Sequence, residues 1–243
     1  MKTLQLTILG VLIGLSCVNT MAQTNYYVKP ASTGLGNGSS WSDASTLSNA
    51  LSASVSGDII HLAAGTYVPE TLISIGTDDL DRTFEIKNNI SMIGGYPANP
   101  MVDDVPSVEN QSILNGLIAE GYNAYHVVAV TAPVESGKKV VLNNLSITGG
   151  KASASGTALT INTLSYVRVN GSAMIVGGSV VEMNHCRIYD NQSANHTPGV
   201  YAFSNANLTL NDYVRKQYWN RQWSCIVGCI FNSVCQQFKI YRQ

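Results

Sequence analysis

The chain has 243 residues, 45% of them apolar and only 12% charged, with 14 Lys and Arg against 15 Asp and Glu. That length can bury one sizeable core, and the low charge is unusual for a compact globule. A near-neutral balance leaves no electrostatic footprint for nucleic acid and none for an anionic membrane surface, so both partners are excluded.

Near the N-terminus Lys2 is followed by an apolar run from Leu4 to Val18 and by Thr20-Met21-Ala22, with small residues flanking a cleavage position. Residues 1–22 therefore predict a secretory signal peptide cut after Ala22. A competing lipoprotein site at Cys17 has Gly14 where that motif is best served by Leu. As a membrane anchor the run is weak: about 20 apolar residues are needed to cross the hydrocarbon core, and Gly10, Gly14 and Ser16 dilute it. No stable membrane span is expected once the leader is removed.

Residues 23–67 read as an N-terminal cap and first coil. Tyr26-Tyr27-Val28 predicts a short strand, and the Gly/Ser/Asn-rich stretch from Ser32 to Ser40 a loop. With Ser42 or Asp43 as N-cap, Leu47, Ala50, Leu51 and Val55 recur at helical spacing, and Gly57 supplies the stop. The next segment, Asp58 to Leu62, is a β-branched strand. The amphipathic helix is expected to cover the open end of a stack of strands, which otherwise exposes apolar cross-section and unpaired edges.

Residues 68–212 alternate short apolar runs with Gly, Asn, Asp and Ser turns. Strands are predicted at Thr83–Ile86, Ile90–Ile93, Ser112–Leu114, His126–Val130, Val140–Leu142, Leu145–Ile147, Ala158–Ile161 and Tyr166–Val169. Others fall at Met174–Val176, Val180–Met183, Cys186–Tyr189, Val200–Phe203 and Leu208–Leu210. Val, Ile, Leu and Ala fill alternate places, as period-two burial requires. Asn88-Asn89-Ile90-Ser91-Met92-Ile93-Gly94-Gly95 returns 55 residues later as Asn143-Asn144-Leu145-Ser146-Ile147-Thr148-Gly149-Gly150. Fainter copies at Asn162, Asn184 and Asn211 give steps of 19, 22 and 27 residues, read as about one solenoid coil each. Asn tolerates the left-handed backbone at such bends, and its amide can stack on its counterpart in the next coil.

Beyond Asp212 the language changes. Residues 213–243 hold neither alternation nor Gly/Asn turns, yet carry Trp219, Trp223, Cys225, Cys229 and Cys235. A one-base shift of their degenerate codons permits Phe-Glu-Asn-Asn-Thr-Gly-Thr-Gly-Asn-Gly and later Ser-Lys-Phe-Thr-Asp-Asn, the second parallel to Cys186-Arg187-Ile188-Tyr189-Asp190-Asn191. The tail is read as frameshifted and the product as truncated. The competing reading is a genuine end cap with Ile226 to Phe231 as its apolar face. Spacing of the three Cys lacks paired C-x2-C logic and a nearby His, which argues against zinc. Cys186 reads as a buried small hydrophobe.

The N-terminal features have a familiar form. Tyr27-Val28, Gly38-Ser39-Ser40-Trp41, Leu47 to Leu51, Ser56-Gly57-Asp58-Ile59 and Ala63-Ala64-Gly65-Thr66-Tyr67 resemble the cap and first coil of secreted right-handed parallel β-helix proteins with the pectin-lyase-like fold. Ile93-Gly94-Gly95-Tyr96 and the run Leu142 to Gly150 are similar to later landmarks of that group. Pro198-Gly199-Val200-Tyr201 resembles a step in the repeats of polymorphic outer membrane proteins. The resemblance implies an all-β, right-handed parallel β-helix solenoid with a short N-terminal capping α-helix. It implies a secreted protein or one at the bacterial cell surface or outer membrane, in adhesion or in contact with a polysaccharide or host glycan. The same coil also carries polysaccharide lyases and glycoside hydrolases, so fold alone does not fix function.

Candidate chemistry is sparse. Asp78, Asp79 and Asp81 with Arg82 and Glu85 form the densest acidic group, of the kind a calcium-assisted lyase uses, but they are local in sequence and read as an inter-coil loop. Asp103-Asp104 reads as surface loop. Asp190 and Asp212, 22 residues apart, could stack as paired carboxylates, though Asp in Asn-rich turns is ordinarily a turn residue. His61 and His126 fall in predicted strands, His185 and His196 near turns, with no shared face. Tyr122, Tyr125, Tyr166, Tyr189 and Tyr201 lie beside successive coils, either as an exposed ladder for sugar faces or stacked internally. No catalytic, cofactor-binding or metal-binding residue is assigned, and no cofactor is expected.

Overall fold

The structure, a computed structural model, describes residues 22–153, 158–194 and 197–216, together with the backbone of Val227–Cys229 and Cys235–Ile240; from residue 213 onward the description is of backbone alone. The predicted leader and His196 lie outside the described residues, apart from Ala22.

The chain opens with strand β1 (Asn25–Val28) and helix α1 (Leu47–Ala53). A first turn follows in β2 (Ile59–Ala63), β3 (Gly65–Tyr67) and β4 (Phe84–Ile86), with a single 3₁₀ turn at Asp79–Asp81 before β4. The second turn is β5 (Ser91–Tyr96), β6 (Ser112–Asn115), a small hairpin of β7 (Leu117–Ala119) and β8 (Tyr122–Asn123), then β9 (Val128–Val130). The third is β10 (Val140–Asn143), β11 (Leu145–Thr148), β12 (Lys151–Ala152), an antiparallel hairpin of β13 (Leu159–Ile161) and β14 (Leu164–Tyr166), then β15 (Met174–Gly177). The fourth is β16 (Val180–Asn184), β17 (Arg187–Tyr189), β18 (Gln192–Ser193) and β19 (Val200–Phe203). Strand β20 (Asn207–Lys216) begins another turn, and the backbones of β21 (Val227–Cys229) and β22 (Cys235–Ile240) pair in parallel with β19 and β20.

Every turn contributes one strand to each of three parallel sheets. The first sheet runs β1, β2, β5, β10, β16, β20; the second runs β3, β6, β11, β17, β20; the third runs β4, β9, β15, β19, β21. The molecule is a right-handed parallel β-helix with one short capping helix. Inward residues of the three sheets form one continuous core, in which Ile60, Met92, Leu142, Met183 and Leu210 stack from the first sheet and Leu114, Ile147 and Ile188 from the second. Full burial of such a side chain is worth about 1.5–3 kcal/mol.

Helix α1 closes the N-terminal end of that core with Leu47, Ala50 and Leu51. Its N-cap is Thr46, whose Oγ1 accepts from the Asn49 N–H at 3.3 Å, and not Ser42 or Asp43. Asp43 is engaged elsewhere: its Oδ1 accepts from the Leu35 N–H at 2.9 Å, holding the preceding loop. The helix ends at Ser54, and Val55 is exposed rather than part of the apolar stripe. Gly57, at φ 105°, forms the turn into β2.

The coil ruler read from the sequence needs correction. Asn143 pairs with Ile93 in the first sheet, so Ser91-Met92-Ile93 stacks on Val141-Leu142-Asn143. The similar block Leu145–Thr148 lies in the second sheet, and the 55-residue repeat does not relate equivalent positions. Asn162 is not on a coil strand; it occupies the turn of the β13–β14 hairpin at φ 50°. The steps of 19 and 22 residues together make one coil of 41, swollen by that hairpin, whereas the step of 27 from Asn184 to Asn211 is a coil as expected. The predicted strand at Ala158–Ile161 is present as β13, whereas the one at Tyr166–Val169 is displaced to β14 (Leu164–Tyr166); the two pair antiparallel as a hairpin that covers the outside of the third sheet and are not coil strands. There Tyr166, Ile161, Ile175, Tyr201 and Phe203 form a second apolar cluster outside the main core.

Candidate functional site

The acidic group serves the loop that leads into β4. Asp78 caps the 3₁₀ turn, its Oδ1 accepting from the Leu80 N–H at 2.9 Å, while its Oδ2 accepts from the Tyr125 hydroxyl at 2.8 Å. The first of these bonds and then the second hold the Asp78 carboxyl below its ordinary pKa. Burial, reinforced by the bond to Asp78, pushes Tyr125 up to about 12. Asp81 accepts from the Thr77 and Asp78 N–H groups and takes a two-point contact from Arg168, Nε at 2.7 Å and Nη2 at 2.6 Å. Arg168 follows the β13–β14 hairpin, and its guanidinium lies over the Tyr125 ring at 5.6 Å. Asp79 pairs at the surface with Arg82. Glu85 accepts from the Ser74 N–H and hydroxyl and from Thr131 Oγ1, and Lys87 lies 3.5 Å away. These carboxylates staple loop and hairpin to the third sheet.

His126 is buried beside this group, its Nδ1 placed to donate to the Gly171 carbonyl at 3.0 Å; burial lowers its pKa to about 4, so the ring is neutral. It precedes β9 rather than lying within a strand. The other proposed carboxylate pair separates: Asp190 turns the chain after β17, and Asp212 sits inside β20 where the first sheet passes into the second, beside His185 Nε2 at 3.5 Å. Cys186 is fully buried, which pushes its thiol up to about 12, and its Sγ faces the Leu142 carbonyl at 3.3 Å. Asp103 and Asp104 lie in the loop between β5 and β6, as the surrounding Pro residues indicate.

The tyrosines do not form an exposed ladder. Tyr125, Tyr166 and Tyr201 are buried, Tyr189 is half-buried and only Tyr122 is open. Tyr201 stacks on Phe203, and Tyr166 meets the same ring edge-on. Aromatic side chains gather instead outside the start of the first sheet. Tyr27 stacks on His61 at 5.1 Å, Trp41 closes on both Tyr27 and Tyr96, and the Tyr96 hydroxyl meets His61 Nδ1 at 2.9 Å. The sequence contains this cluster as odd-even spacing of Tyr27, His61 and Ile93, but only pairing of β1, β2 and β5 aligns them.

From that cluster the outer face of the first sheet continues as a half-exposed polar flank. One row is Ser91, Val141, Glu182, Thr209; the neighbouring row is Ile93, Asn143, Asn184, Asn211. The asparagines form a ladder in which Asn184 Nδ2 donates to Asn143 Oδ1 at 2.7 Å and Asn211 Nδ2 donates to Asn184 Oδ1 at 2.8 Å. Lys139 and Glu182 form an ion pair on the same flank. At its edge the chain turns through the left-handed region at Asn144, His185 and Asp212 (φ 54°, 52° and 46°), one residue after each ladder asparagine. Ladder and bend are thus two adjacent positions, not one. Beyond the bend Arg187 makes a 3.4 Å contact with the Val108 carbonyl, and the Asn144 Oδ1 is buried without a hydrogen-bond partner among the described residues.

Among the described residues no three His, Cys, Asp or Glu side chains are grouped to hold a metal ion, and no helix is long and apolar enough to cross a membrane. No family model and no curated protein matches the chain. Among solved structures the chain is similar to pectate lyase Pel9A, at 18% identity and a TM-score of 0.38, over 89% of this chain and 62% of that one. It therefore spans less than two thirds of that structure.

Proposed function

We propose that this is a secreted or cell-surface β-helix protein that contacts glycans without catalysis, using the open flank of its first sheet. The observation that carries this reading is the Asn143–Asn184–Asn211 ladder, a row of amides repeating along the solenoid axis with Ser, Thr and Glu in the row beside it. Regularly spaced donors and acceptors on a pleated surface suit an extended chain of hydroxyls. The carboxylates that a lyase or hydrolase needs on one groove are occupied in the loop before β4 or held on separate corners, which favours contact over cleavage.

The domain reading belongs to the same proposal: a signal peptide at 1–22, cap and first coil at 23–67, coils at 68–212, and an out-of-frame tail at 213–243, in a product related to the polymorphic outer membrane protein repeats. Its support is the leader pattern and the change of composition after Asp212. Resequencing the gene tests the tail: absence of any single-base shift that opens a frame with coil motifs removes it.

Glycan-array binding by the full chain tests the function. Binding to one polymer class is expected, lost by at least tenfold in Asn143→Asp/Asn184→Asp, where repelling carboxylates replace the ladder. Calcium-dependent depolymerisation of an acidic polysaccharide would show the enzymatic reading to be the right one.

A further inference from the structure

A cavity of about 190 Å³ lies between helix α1, the loop before β4 and the outer side of β4. At roughly 30 Å³ per liquid water it has space for about six waters, below the roughly 300 Å³ where pockets for drug-sized ligands begin. Its walls are of two kinds. Leu51 from the helix and Leu72 from the loop supply its apolar surface, and Ser48, Ser52, Thr71 and Lys87 its polar edge. The hydroxyls of Ser48, Ser52 and Thr71 make no hydrogen bond within the described residues; Ser52 and Thr71 are exposed, and Ser48 is 8% exposed. Floor residues Thr83 and Glu85 are engaged with the fold: Thr83 Oγ1 donates to the Val127 carbonyl at 3.2 Å, and Glu85 already accepts from Ser74 and Thr131.

We propose that this cavity binds one neutral pyranose unit, a terminal or branch sugar, as a second subsite at the capped end of the solenoid. The choice of a sugar rests on the glycan-contact reading; the choice of site and of neutrality does not. A pyranose presents an apolar C–H face and an equatorial rim of hydroxyls, which match Leu51 and Leu72 on one hand and three unpaired side-chain hydroxyls on the other. The single buried carboxylate in the wall is already balanced by Lys87 at 3.5 Å. An added carboxylate or ammonium on the ligand finds no uncompensated counter-charge, so its desolvation is not repaid. Sugar hydroxyls instead satisfy Ser48, Ser52 and Thr71, each bond contributing modestly to affinity.

The test is ¹⁵N-resolved titration of the full chain with methyl hexopyranosides of gluco, galacto and manno configuration and their uronate counterparts. Saturable shifts at Ser48, Ser52, Thr71 and Leu72 are expected for at least one neutral glycoside, with its uronate at least fivefold weaker. Ser52→Trp, at an exposed helix position, should fill the cavity and weaken binding at least tenfold. Leu72→Asp in the loop wall should do the same. Asn184→Asp on the flank should leave this titration unchanged while weakening polymer binding. Saturation by no neutral glycoside, equal or tighter binding of the uronate, or undiminished binding in both cavity variants overturns the proposal. Loss of polymer binding in the flank variant alone, with no monosaccharide titration, leaves the flank reading standing and removes only this one.

Discussion

Asn184 lies 41 residues beyond Asn143, and its Nδ2 donates to the Asn143 Oδ1 at 2.7 Å. Two amides that far apart in sequence are direct neighbours because one coil separates them, however long the excursion between. Replacing Asn184 by Ala leaves the Asn143 Oδ1 without its donor and the Asn211 amide without its acceptor. A loss of about 1–3 kcal/mol is expected for these half-buried groups. Urea denaturation measures it, and a value indistinguishable from wild type makes the ladder decorative.

Arg168 and Asp81 are the most buried ion pair described, with side chains 11% and 1% exposed. Arg168→Ala removes the partner of a buried carboxylate and is expected to cost about 3–5 kcal/mol. Arg168→Lys should recover only part, since an ammonium cannot reproduce the forked contact. Equal stability of the Ala and Lys variants in chemical denaturation contradicts this account.

His126 gives the fold a pH limit. Its folded pKa of about 4 lies below the ordinary value near 6.5 in the unfolded chain. As pH falls from about 6.5 towards 4 the unfolded state takes up a proton that the native state refuses, so stability drops across that window and levels below it. Asp81 and Arg168 face the ring with opposite effects, and burial outweighs both. The expected loss is on the order of 3 kcal/mol between pH 7 and 4. Asp78, whose carboxyl is depressed, contributes in the same direction only at still lower pH. Denaturation midpoints from pH 7 to 4 should decline steeply in wild type and less so in His126→Gln; parallel curves sink the assignment.

Gly150 shows close approach rather than turn chemistry. A Cβ there would stand 2.1 Å from the Ser172 carbonyl oxygen, a backbone atom that cannot swing away. Gly150→Ala is expected to cost about 3 kcal/mol or more. At Gly137, φ 73° with open space around it, the same change meets only the left-handed backbone penalty of about 1–2 kcal/mol. Thermal denaturation of the two variants should rank them in that order.

Much of the fold was legible. Short strands with alternating burial, the capping stripe of Leu47, Ala50 and Leu51, the burial of Cys186 and the loop character of the Asp78–Arg82 group follow from local pattern, because side-chain direction and turn chemistry are set within a few residues. The polar flank was only half legible: its asparagines stood out, but Glu182, Ser91 and Thr209 did not, since a lone polar residue between apolar neighbours reads alike on any solvent-facing strand. The tyrosines left two readings open, an exposed ladder or internal stacking, for a related reason. Tyr166 and Tyr201 occupy outward places of a hairpin and a sheet that then cover each other, and alternation records the first fact without the second.

By itself the sequence determined that the chain forms short strands, bends at Asn and Gly, and begins with a cap. Only the tertiary structure decided which strands stack: Asn143 on Ile93 and Asn184 rather than on Asn162, and Arg168 on Asp81 across 87 residues. Local sequence specifies the conformation of each step, whereas register between coils is fixed by parallel hydrogen bonding and shared burial. Those forces act between neighbours in space and are indifferent to how many residues the intervening loop contains.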